Sequence, residues 1–174
     1  MNRPASDVFA TQAMQYIPRL RRYARALTGD ASAADDLVQD ALERALIKHK
    51  LWREGTDLRA WLFTVMHNVF VNQVRSAAVS RTMQLDDTLL AGRAQPHSTD
   101  RLEIRDLDVA LQALPEEQRA VVLLVGLEQM TYEEAARVLE VPIGTVMSRL
   151  SRGRERLRRR MQGLPETAAL KVIK

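Results

Sequence analysis

The residues best placed to do chemistry in this chain are arginines. Arg149, Arg152, Arg154, Arg156, Arg158, Arg159 and Arg160 fall within one short stretch, accompanied by a single acid, Glu155. Guanidinium groups are permanently charged and present a fork of donors, so such a density suits a polyanion: phosphates along a backbone, or a guanine edge. The same cluster also reads as a solvated helix end, where cations suit the dipole. A second polar set, Thr64, Asn68, Asn72 and Arg75, recurs at intervals of four, four and three residues. On a helix these side chains share one face, opposite Trp61, Val65 and Val69. Amides fixed there can bond exposed base edges while nearby aromatics stack on unpaired bases, although a plain solvated surface has the same pattern. Catalysis has less to build on. His49, His67 and His97 lack zinc-ligand spacing, no nucleophile is paired with a base, and no glycine-rich phosphate loop occurs. The absence of cysteine excludes disulfides, thiolate zinc sites and thiol catalysis. Asp35, Asp36 and Asp40 suggest a metal site only weakly, because successive helical acids also face solvent or a protein partner. The expectation is a binding protein with no catalytic residue, metal or cofactor.

The elements that position these residues follow from composition and periodicity. With 174 residues the chain suits one ordinary domain or two small ones, and its 26 basic and 22 acidic side chains leave a formal net charge of only +4. Seven glycines and six prolines, against 46% apolar residues, favour helices over many short strands. No apolar run reaches the roughly 18 residues of a spanning helix, and the N-terminus lacks the layout of a secretory signal. A cytoplasmic protein without membrane insertion is expected.

Tyr16, Leu20, Tyr23 and Leu27 lie on one face of a helix closed by Gly29. Ser32 and Asp35 have the spacing of a capping pair, starting a helix with Leu37, Val38, Ala41, Leu42, Ala45 and Leu46 inward. After a break at Glu54–Asp57, a third helix buries Trp61, Leu62, Val65, Met66 and Val69. From Ser80 to Arg101 the pattern lapses, and a stretch of that length is uncommon inside a compact domain. The predicted architecture is therefore all-α: two small helical domains, 1–79 and 102–174, joined by a flexible linker at 80–101. In the second domain Pro115 starts a helix that ends at Gly126. Thr131 and Glu134 have capping-box spacing, beginning a short helix that stops near Leu139. Val141-Pro142-Ile143-Gly144 makes a turn, and another helix begins around Thr145 with Val146, Leu150 and Leu157 inward. Ala135 and Ala136 permit close approach, which completes a helix-turn-helix. Its second helix presents Thr145, Met147, Ser148, Arg149, Ser151 and Arg152 outward, where this motif reads base edges in the major groove. Arginines further along, Arg154 among them, are better placed for phosphates. Met147 cannot donate a hydrogen bond but packs against a thymine methyl. Base reading thus rests on Ser148, Arg149 and Arg152, with Arg149 suited to base or phosphate equally.

Two stretches of the first half, Asp36-Leu37-Val38-Gln39-Asp40-Ala41-Leu42-Glu43-Arg44-Ala45 and Leu58-Arg59-Ala60-Trp61-Leu62-Phe63-Thr64-Val65-Met66-His67-Asn68, resemble segments of the bacterial extracytoplasmic-function (ECF) sigma factors. Leu114-Pro115-Glu116-Glu117-Gln118-Arg119, Thr131-Tyr132-Glu133-Glu134-Ala135-Ala136 and Gly144-Thr145-Val146-Met147-Ser148-Arg149-Leu150 are similar to that family's C-terminal domain. The match runs from Ile17 to Met161 in the family's order and spacing. Pro18-Arg19-Leu20-Arg21-Arg22 and Arg59-Ala60-Trp61-Leu62-Phe63-Thr64 look like the general-stress subgroup. This resemblance implies an alternative sigma factor that binds core RNA polymerase, recognises −10 and −35 promoter DNA and helps to open it, under the control of an anti-sigma factor. It implies clamp binding by Asp36, Gln39, Asp40, Glu43 and Arg44. It implies −10 binding by Asn68 and Asn72, on the face shared with Thr64 and Arg75. Trp52 to Leu58 matches the loop that holds a flipped base, with Trp52 standing where a smaller aromatic is usual. The −35 residues carried over are Thr145, Met147, Ser148, Arg149, Arg152 and Arg154. Free protein is expected to bind duplex promoter poorly, because a flexible linker leaves two small domains uncoupled. The rival reading, an autonomous dimeric helix-turn-helix regulator, lacks dimer-forming heptads and leaves the first domain's motifs unexplained.

Overall fold

The computed structural model describes the backbone of residues 5–53, 55–83 and 99–164, and the side chains of 7–53, 55–79 and 105–164. Among the described residues the secondary structure is helical throughout. The first domain contains α1 (Ala5–Met14), α2 (Ile17–Thr28), α3 (Ala31–Ile47), one 3-10 turn (His49–Leu51) and α4 (Leu58–Met83). The second contains α5 (Thr99–Gln112), α6 (Glu116–Gly126), α7 (Tyr132–Leu139) and α8 (Ile143–Met161).

In α2 the predicted inward face is buried through Leu20, Tyr23, Ala24 and Leu27. The helix stops because Gly29 adopts φ +73°, a left-handed conformation open to a residue without Cβ, and its N–H bonds the Arg25 carbonyl. The chain leaves Gly29 extended, which makes Asp30, and not Ser32, the cap of α3: its carboxylate accepts from the Ala33 N–H at 2.8 Å. Leu37, Val38, Ala41 and Ala45 of α3 then meet Leu62, Phe63, Met66 and Val69 of α4 in one core. Tyr23 stands edge-on to Phe63, with ring centroids 5.3 Å apart. Leu46, expected inward, is 47% exposed at the end of α3. Helix α1 had no counterpart in the periodicity. Among its described side chains it buries only Phe9 and Ala13, and Phe9 packs against Trp52 and Trp61.

In the second domain, α7 opens with both halves of the Thr131–Glu134 capping box and α8 begins at Ile143, two residues before the expected start. Val146, Leu150 and Gly153 face inward. Gly153 lets α8 lie close on α6, because a Cβ there would stand 2.7 Å from Val122 Cγ2. Helices α4 and α5 also reach into the stretch expected as linker, to Met83 and from Thr99. The rest of that stretch, 84–98, lies outside the described residues, as does Glu54.

The domains are not uncoupled as expected. Helix α2 packs on α5 and α6, and α4 packs on α7. Polar residues at their junction that look like solvated surface in the sequence are buried: Glu128 has no exposed area and Arg119 is 9% exposed.

Candidate nucleic-acid interface

Helix α8 carries one edge of the interface. Its inward residues fix the register, so Met147, Arg152 and Arg154 point to solvent while Thr145, Ser148 and Arg149 are half-buried. Ser148 Oγ donates back to the Thr145 carbonyl at 3.1 Å. Arg149 pairs with Glu117 of α6 at 2.6 Å. Further along, Arg156 donates to Gln118 Oε1 at 3.1 Å, and Arg158 pairs with Glu155 at 2.9 Å, which holds that carboxyl below its usual range. The arginine cluster is therefore divided: some guanidinium groups are tied within the domain, whereas Arg152 and Arg154 are exposed. Tyr132, at the start of α7, shares a shallow depression with Met147, Ser151 and Arg154. Sequence reasoning passed over this tyrosine, although the helix start that Thr131 marks is where a backbone phosphate would meet free N–H groups.

On α4 the predicted stripe separates into two kinds of residue. Thr64 Oγ1 donates to the Ala60 carbonyl at 2.9 Å and stays half-buried in its own helix. Asn68, Asn72 and Arg75 are exposed and line a cleft of about 740 Å³ with Arg44, Lys48, His67 and, from across the domain junction, Glu140 and Arg149. Asn68 Nδ2 donates to Glu140 Oε1 at 3.3 Å. The adjacent His67 is mostly buried, its Nδ1 has no hydrogen-bond partner, and its pKa is pushed down to about 4. Burial is the main cause; Glu140 opposes it and Arg149 adds to it. Trp52 is half-buried, its ring 5.9 Å from Phe9 and its buried Nε1 without a partner.

On α3, Asp36, Gln39, Glu43 and Arg44 are exposed along one side, while Asp40 is half-buried and accepts from Gln73 Nε2 at 2.9 Å. Two apolar residues not read from the sequence extend this side: Ile47 is 74% and Leu51 71% exposed. The structure thus brings Asn68, Asn72, Arg75, Arg149 and, from α3, Arg44 to one cleft. It holds Asp36, Gln39 and Glu43 along α3 outside that cleft, and Trp52 in an aromatic group with Phe9 of α1. Among the described residues no cluster of His, Asp or Glu could hold a metal ion, and no helix is long and apolar enough to cross a membrane.

A helix-turn-helix with exposed arginines on its second helix, carried beside a four-helix domain with a polar α3 face and amides on α4, defines a two-domain transcription factor of the sigma type. Two families match in that order: the Sigma2 domain of PhyR over residues 14–67, and Sigma-70, region 4 over residues 104–157. The chain is 35% identical over 158 residues to the ECF RNA polymerase sigma factor EcfG of Rhodopseudomonas palustris, covering 88% of this chain and 85% of the relative. It is 34% identical over 149 residues to SigE of Mycolicibacterium smegmatis, covering 83% of this chain and 58% of that one. The sigma factor RpoE of Bartonella quintana, solved with the anti-sigma factor NepR, superposes with a TM-score of 0.73 at 32% identity, over 91% of this chain and 98% of that one. CnrH, solved with the cytosolic domain of CnrY, shares the fold at a TM-score of 0.68 and 23% identity. The chain belongs to the ECF RNA polymerase sigma factors.

Proposed function

We propose that the chain directs core RNA polymerase to a set of promoters, with residues 1–79 engaging the polymerase clamp and the −10 element and residues 102–174 engaging the −35 element. The observation that carries this reading is the exposure of Arg152 and Arg154 on the outward side of the second helix of a helix-turn-helix. Around them, Thr145, Met147, Ser148 and Arg149 address base edges or phosphate. Asp36, Gln39, Asp40, Glu43 and Arg44 dock on the clamp. Asn68 and Asn72 read unpaired −10 bases, with Thr64 and Arg75 beside them and Trp52 at the loop.

No chemistry of its own is required of such a protein. Extruding a base costs a few kcal/mol, and stacking returns about 1–3 kcal/mol per base. A domain that binds only the unpaired strand shifts the promoter toward its open form, and polymerase supplies the remaining grip. Work on promoters beside polymerase places the chain in the cytoplasm. Regulation by an anti-sigma factor is supported by the complex of the RpoE relative with NepR, and membership of the general-stress subgroup by the likeness to EcfG and to the Sigma2 domain of PhyR. Run-off transcription with core polymerase over a genomic promoter library tests the reading. Promoter-specific transcripts that require the chain are expected, and none above core polymerase alone would overturn it.

A further inference from the structure

Nothing in the promoter reading calls on α1, yet Phe9, the large side chain that α1 buries, reaches the loop on which that reading depends. Phe9 is 2% exposed. Its ring meets His49 of the 3-10 turn with centroids 6.0 Å apart, Trp52 at 5.9 Å, and Trp61 in the first turn of α4 at 5.7 Å. The Trp61 contact is edge-on, at an interplanar angle of 88°, which sets the positive edge of one ring against the negative face of the other. Phe9 therefore stands between the two ends of the connection from α3 to α4.

That connection is held in two ways. Beyond Trp52 its backbone is fixed by hydrogen bonds: the Thr56 N–H and Oγ1 both donate to the Arg53 carbonyl, at 3.1 and 2.7 Å, and Asp57 Oδ1 accepts from the Ala60 N–H at 3.1 Å, capping α4. The Trp52 side chain has no such tie. Its Nε1 is buried without a partner, so packing alone sets where the indole lies, and among the described rings Phe9 is the one that meets it. An unsatisfied buried donor favours any rotation that brings it to water or to an acceptor. Holding the indole against that tendency takes a neighbour that is itself fixed, and a buried phenylalanine set against Trp61 of α4 is one.

We propose that Phe9 is a positioning residue for promoter selection: it props the Trp52 indole, and through it the connection between α3 and α4, in the place from which a −10 base is chosen. The inference rests on the reading of Trp52 as part of the base-holding loop. Phe9 touches no nucleotide; it acts by removing freedom from Trp52. A pocket whose wall is locked by packing selects among bases by fit, whereas an indole free to turn accommodates whichever base is offered.

The chain has two tryptophans, so Trp61→Phe leaves Trp52 as the only indole emitter in the full chain. In that background Phe9→Leu, which keeps most of the apolar volume but removes the ring, should red-shift the Trp52 emission and open it to acrylamide quenching. Phe9→Ala should do so further, and the leucine variant carries the test where alanine unfolds the domain. With core polymerase and both tryptophans in place, run-off transcription from promoters altered one −10 base at a time gives the preference at each position. The position that the loop reads is the one whose preference Trp52→Ala removes. There Phe9→Leu should lower the preference about two- to tenfold, the range that one aromatic contact spans. Preferences at the other −10 bases and the dependence on the −35 element should stay as they are. Emission that does not move, or an equal fall at every position, would overturn the prop. A preference lost in Trp52→Ala but kept in Phe9→Leu withdraws Phe9 alone. If Trp52→Ala leaves every preference intact, the base-holding loop is withdrawn, and the part of Phe9 in selection with it.

Discussion

Tyr23 of α2 is buried, its hydroxyl unpartnered and close enough to Glu128 and Arg119 of the second domain to feel their charges. Burial, reinforced by the charge of Glu128, pushes its pKa well above the usual phenol range, so it carries no charge at any working pH. An unsatisfied buried hydroxyl costs about 1–3 kcal/mol. Tyr23→Phe keeps the ring against Phe63 and removes that penalty, so the urea unfolding midpoint should rise. Arg152 makes the opposite kind of test. If it bonds a guanine edge, Arg152→Ala should cost about 1–3 kcal/mol of −35 discrimination, seen as reduced transcription from −35-dependent promoters with unchanged polymerase association. Lost association would withdraw the assignment. The outward arginines were legible in the sequence because helical spacing alone sets them opposite Val146 and Leu150. The pairing of Arg149 with Glu117 was not, because it depends on how α6 crosses α8.

Helix ends show what local chemistry decides and where it stops. The Thr131–Glu134 box and the stop at Gly29 are written in residue type, since each satisfies its own orphan backbone groups. Ser32 with Asp35 had equally good spacing, yet Asp30 took the cap because the left-handed Gly29 hands it an extended backbone. Helix α1 was missed for a different reason: with only Phe9 and Ala13 buried among its described side chains, it has too short an apolar face to give a period. Gly29 joins the local and tertiary levels. Its φ of +73° disfavours any side chain, and a Cβ there would stand 2.5 Å from Gln112 Cδ of the second domain. Gly29→Ala should destabilise by about 1 kcal/mol or more from backbone strain alone. It should also loosen the bond that Gln112 Nε2 donates to the Ala26 carbonyl, which hydrogen exchange at the end of α2 would reveal.

At the scale of the whole molecule, the packing of the two domains was hidden from the sequence. The paired Arg19 and Glu128 are 109 residues apart, and charged residues on helices and in turns ordinarily mark solvated surface. His67 gives the domain junction a pH signature. The groups around its cleft are Arg44 and Lys48 of α3, Arg75 of α4, Glu116 and Glu117 of α6, Glu140 of the α7–α8 turn, and Arg149 of α8. In the folded chain the imidazole stays neutral until about pH 4, whereas an unfolded chain takes up that proton near 6.5. The unfolded state therefore binds more protons between these values, and stability falls as pH drops from about 6.5 toward 4. Denaturation midpoints measured across that window should decline, and His67→Gln should flatten the decline. An unchanged slope in the variant would place the acid sensitivity elsewhere.

Glu140 ends α7 in a left-handed conformation, φ +54°, where glycine rests most easily, and its carboxylate reaches Asn68. An engineer seeking heat resistance would choose Glu140→Gly first, for a tighter turn and slower hydrogen exchange along α7. The same exchange would remove the carboxylate that Asn68 bonds, so the easier turn would come with one tie fewer between α4 and the second domain.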